Sequence, residues 1–137
     1  MSSLSSLTKA NLLVLALLIF HTIDHATGQP TRDLPGSSSL VGALGFAITA
    51  GSTWLAIQRS PLAPEVSAAV GALTAFGIIV VHLAPSWWTW VSDPYWDFEA
   101  SFLSWLSLIA LFASALYLTA VGVRYQRFRH VEPYYRH

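Results

Sequence analysis

Apolar residues run along this chain in four long blocks: about 10–26, 40–57, 66–84 and about 98–123. Each block is long enough for a helix that crosses a bilayer, which needs about 20 residues, range about 17–25. The blocks are continuous, not alternating, so the period-two pattern of an outer-membrane barrel is absent. An open sheet edge has no water to satisfy it inside lipid, so the blocks are predicted to be helices. The links between them are short. Thr27–Ser39 contains Gly28, Pro30, Pro35 and Gly36, Gln58–Glu65 contains Pro61 and Pro64, and Pro85–Asp97 is rich in tryptophan. Gly and Pro punctuate loops, and short links make consecutive helices antiparallel neighbours. The expected fold is all-α: an integral membrane four-helix up-down bundle forming a single membrane domain over 1–137, with a basic tail at 124–137.

Composition supports this pattern. The 137 residues are 54% hydrophobic and 10% charged, with mean hydropathy +0.53. A soluble domain carries about 25% charged residues. Seven Lys and Arg balance seven Asp and Glu, so bulk charge makes no case for nucleic acid. Without cysteine there are no disulfides, thiolate metal sites, iron–sulfur clusters, Cys nucleophiles or C-terminal lipidation box.

Placing the N-terminus in the cytoplasm puts Lys9, Arg59, Arg124, Arg127, Arg129 and Arg136 inside, and only Arg32 outside. Lys and Arg in short loops set orientation. A multi-pass protein of the cell membrane with both termini cytoplasmic is therefore expected. A cleaved signal is disfavoured, because His21, Asp24 and His25 would sit awkwardly before any cleavage site. Trp87, Trp88, Trp90 and Trp96 are expected to lie in the outer headgroup region, where rings with a polar handle are favoured. Arg124, Arg127 and Arg129 are expected to meet anionic lipid headgroups.

Polar residues in this apolar setting supply the candidate chemistry. His21 and His25 are four apart and share a helix face, with Asp24 on its flank. Two imidazoles at this spacing can share a metal, and a carboxylate can ligate it or orient an imidazole. His82, near the end of the third block, falls at similar depth because helices 1 and 3 run the same way. The competing reading is that helix 1 has reached the headgroups, where His and Asp cost little, and that His82 hydrogen-bonds a neighbouring helix. Asp93, Asp97 and Glu99 are secondary candidates. Asp97 or Ser92 is expected to cap helix 4, and Asp97, Ser101 and Ser104 form a polar stripe. An imidazole and carboxylate set suits zinc, iron, copper or manganese, and haem b held by one helix-1 histidine and His82 is a variant.

No zinc-protease helix motif, Walker loop, dinucleotide fingerprint or nucleophile elbow is present, and no Lys lies inside a span to form a retinal-type Schiff base. Small residues on helix 2 (Gly42, Gly45, Ala47, Ala50, Gly51) and helix 3 (Ala68, Gly71, Ala72, Ala75, Gly77) predict close packing between those two helices. Three functions are open. The first is an outer-facing His/Asp site for a metal, haem or small lipid-soluble ligand, with proton-transfer or redox chemistry as one use. The second is an accessory subunit of a larger membrane complex, and the third is a transporter or channel subunit. The expected partners are the lipid bilayer, further copies of the chain or other membrane subunits, and no nucleic acid.

Overall fold

The computed structural model describes residues 5–27, 36–85, 91–97 and 99–131. Four α-helices occupy most of them: α1 (Ser6–Thr27), α2 (Gly36–Ile57), α3 (Ala63–Ile78) and α4 (Phe102–Val131). A π-helical turn, Ile79–Leu83, continues α3. All four helices, α3 counted with its π-turn, are long and apolar enough to span a membrane. Several ends differ from expectation: α1, α2 and α3 open earlier than their apolar blocks, at Ser6, Gly36 and Ala63. α4 opens at Phe102, not near 98, and it runs on to Val131, through the first half of the segment read as a tail.

Local chemistry explains where the helices begin and end. Ser5 caps α1 by accepting the Thr8 N–H on its hydroxyl at 3.1 Å. Ser101 does the same for α4 with the Ser104 N–H at 3.0 Å, so Ser101, not Asp97 or Ser92, is the N-cap. α2 closes with the Ser60 N–H on Leu55 O and the Arg59 N–H on Ala56 O. This Schellman pattern puts Arg59 in the left-handed region, at φ 54°. α3 starts with a proline in its first turn, where no N–H is missed, and with Glu65 near the positive end of the helix dipole. At the far end of α3 the Ala84 N–H reaches back five residues to Ile79 O, at 2.7 Å. Ala84 then turns extended, as the residue before a proline prefers.

Each helix packs chiefly on its neighbours in the ring α1–α2–α3–α4, and α1 and α3 touch at few points across the diagonal. The closest approach is between α3 and α4, not between α2 and α3. A Cβ on Gly71 would stand 2.6 Å from Ala115 O, and one on Gly122 would stand 2.7 Å from Ala68 N. The glycines of α2 that were expected to pack, Gly42, Gly45 and Gly51, meet nothing within 4 Å. The core between helices holds Val14, Ile78, Leu108, Leu111 and Leu118. Large apolar side chains such as Leu44, Trp54, Leu73, Phe76 and Ile109 face outward, as surfaces that meet lipid do.

A hydrogen-bonded polar node lies toward the start of α1 and α3. Asn11 Nδ2 donates to Ser67 Oγ at 2.8 Å and to Leu7 O at 3.0 Å. Ser52 Oγ donates to Asn11 Oδ1 at 2.7 Å. All three side chains are buried, and together they tie α1, α2 and α3.

Candidate metal centre

The last two turns of α1, the π-turn and the segment 91–97 meet at one place. His21 and His25 project from α1 and His82 from the π-turn. The rings of His21 and His25 stand 4.6 Å apart, those of His21 and His82 5.3 Å, and those of His25 and His82 5.1 Å. One ring nitrogen from each lies within 4.8 Å of the other two. Among the described residues this is the group of His, Cys, Asp and Glu side chains spaced to hold an ion.

Outer partners set which nitrogens are available. His82 Nδ1 lies 3.1 Å from Asp93 O. A carbonyl only accepts, so Nδ1 carries the hydrogen and Nε2 keeps its lone pair. The same logic reaches His21 through α4. Ser107 Oγ donates its one hydrogen to Ser104 O at 2.9 Å, so it accepts from His21 Nδ1, at 3.2 Å. His21 Nε2 is then also a lone-pair donor. His25 Nε2 lies 3.3 Å from Tyr95 Oη, and its Nδ1 faces Asp93 Oδ2 at 3.9 Å. Imidazoles whose second nitrogen is held by a carbonyl, hydroxyl or carboxylate are oriented as metal-ligating histidines are.

The segment 91–97 is strapped onto the π-turn. The Asp93 N–H donates to Val81 O at 2.8 Å, and the Tyr95 N–H donates to His82 O at 3.1 Å. Trp96 Nε1 donates to Leu83 O at 3.1 Å. A helix end leaves its last carbonyls without partners, and the strap supplies three donors to them. In return the turn fixes Asp93 and Tyr95 against the imidazoles.

Asp24 is buried, 7% exposed, and its Oδ2 has no hydrogen-bond partner. It lies near enough to His25 to interact with its charge, outside the set of close ligand atoms. Asp93 contributes its carbonyl as well as its carboxylate. Asp97 and Glu99 are exposed and do not join the group. Trp96 is also exposed, and its ring packs at a tilt against Trp105, with centroids 4.8 Å apart. Trp87, Trp88 and Trp90 lie outside the described residues, as do Arg32, Asp33, Phe98 and residues 132–137. Arg124 and Arg127 are exposed on the last turns of α4, with Arg124 over the Phe128 ring at 5.6 Å. The side chain of Arg129 is outside the described set.

Sequence reasoning passed over Tyr95 and Ser107. Tyr95 was hidden among the aromatics of its loop, although it follows Asp93-Pro94, where a turn redirects the chain. Ser107 continues the Ser101–Ser104 stripe by one more turn, and that spacing was its available signal. No family model, curated protein or solved structure matches this chain. Fold and site suggest a multi-pass membrane protein with three clustered histidines, His21 and His82 buried and His25 half-buried.

Proposed function

We propose that this chain is a multi-pass protein of the cell membrane that binds a transition-metal ion at its outer end through His21, His25 and His82. One observation carries the reading: three imidazole nitrogens lie within 4.8 Å of one another. Intramembrane ionisable groups are costly and usually functional. An all-nitrogen set without thiolate suits zinc, copper or iron. Asp24 and Asp93, beside the triad, offset the charge of a bound cation. Ring contacts of 4.6–5.3 Å favour a bare ion over haem b, because a porphyrin needs an open slot between its axial histidines.

The helices form an up-down bundle with both termini cytoplasmic. Contacts between Ser6 and Tyr125, and between Thr8 and Ala56 O, support the antiparallel sense, and the Lys/Arg distribution supports the orientation. Trp96 lies in the outer headgroup layer, and Arg124 and Arg127 lie at inner lipid headgroups. A second reading, a subunit that packs in a larger assembly or with its own copies, is favoured by the open glycines of α2.

Metal analysis of the detergent-purified chain tests the metal reading. The wild type is expected to carry an equimolar ion. His82→Ala is expected to lose it while its helical circular dichroism is unchanged. No metal in the wild type, or equal metal in both, overturns it.

A further inference from the structure

Three histidines leave a tetrahedral ion one ligand short, and the structure offers a fourth donor. We propose that Tyr95 supplies it, so that the ion sits in a set of three imidazoles and one phenolate. This inference rests on the metal reading above and deepens it.

The argument begins with burial. Tyr95 is 1% exposed and is among the largest fully buried side chains of the protein. A buried phenol requires a polar partner for its hydroxyl. A contact of that hydroxyl, with His25 Nε2 at 3.3 Å, is at the long end for a hydrogen bond. It fits a different geometry. A tetrahedron built from bonds of 2.0–2.1 Å has edges of about 3.3–3.4 Å. The phenol oxygen and the His25 nitrogen already stand at that spacing.

The surroundings agree. The Tyr95 ring packs against His82, with centroids 4.9 Å apart, and edge-on against Trp105 at 5.3 Å. The Tyr95 N–H is bonded to the carbonyl of His82 itself. One peptide contact therefore fixes both the ligand on the π-turn and the phenol on the strap. Ion uptake forms a metal–oxygen bond and breaks the phenolic O–H, and the proton leaves to the buffer. Four protein ligands close the coordination sphere. Closed sites hold an ion, whereas catalytic sites keep a position open for water or substrate. The centre is thus built to keep or pass on a metal, not to activate water.

Copper(II) titrated into the full chain in lipid nanodiscs is the test, with His82→Ala as the background. Copper bound above that background is expected to show a visible phenolate-to-copper charge-transfer band, which imidazole and carboxylate ligands do not give. Tyr95→Phe should still bind copper through the three histidines and lose the band. A chain with Tyr117, Tyr125, Tyr134 and Tyr135 all changed to Phe should keep it, which identifies Tyr95 even where Tyr95→Phe fails to fold. Bound copper without the band, or a band that survives Tyr95→Phe, overturns the role of Tyr95 alone. No copper above background overturns the metal reading and this inference with it.

Discussion

Ser107 shows how one hydroxyl decides the state of a ring on another helix. Its single hydrogen goes to Ser104 O, so toward His21 Nδ1 it only accepts. Ser107→Ala removes that acceptor and leaves the ring free to turn or change tautomer. The expected outcome is a 10–100-fold loss of metal affinity, the usual cost of losing an outer partner, with the fold intact because a methyl group fills part of the space. Competition titration against a chelator measures it, and wild-type affinity in Ser107→Ala would remove the tautomer argument. The three histidines were legible in the sequence because expected depth alone grouped them: imidazoles near the ends of two apolar blocks expected to run the same way. Tyr95 and Ser107 were not, because their roles depend on how α4 and the strap are rotated toward α1. Hydropathy does not encode that rotation.

At the scale of elements, the α3–α4 seam is the tightest contact in the molecule. Gly71 and Gly122 let the two backbones approach where a Cβ would meet backbone atoms at 2.6–2.8 Å. Backbone atoms cannot swing aside as a flexible side chain does, so Gly71→Ala must part the helices. Overpacking of this kind costs about 1–3 kcal/mol. Gly45→Ala, with nothing within 4 Å, should be neutral or stabilising by up to about 1 kcal/mol, the helix propensity gained. Denaturation in mixed micelles, followed by tryptophan fluorescence, compares the two. Equal stabilities would argue against the seam. The number and approximate extent of the helices could be read from the apolar blocks. Which glycines face a neighbour could not, since α2 and α3 carry similar small residues. The π-turn was equally hidden, because Ile79–Leu83 is as apolar as an ordinary helical turn.

For the whole molecule, orientation decides which compartment the proposed metal site would face. Reporter fusions after Asp33, Leu62 and Ser92 are expected to read outside, inside and outside in turn, from the Lys/Arg distribution. A cytoplasmic signal at Asp33 would reverse the chain and place the histidines at the inner surface.

The node at Asn11 has a mechanical consequence for the distant triad. Lipid and neighbouring helices are equally apolar, so hydrophobicity exerts no torque on α1. Its rotational phase must come from directional bonds. Asn11 engages α2 and α3, while His21, ten residues on, engages α4. At about 100° per residue, these two anchors point roughly 80° apart around the axis. A slip of one residue would swing both away from their partners, and neither could recover its bonds unless the other did. The imidazoles thus keep their bearing through a dowel set well over a dozen ångströms along the same rod, at about 1.5 Å per residue.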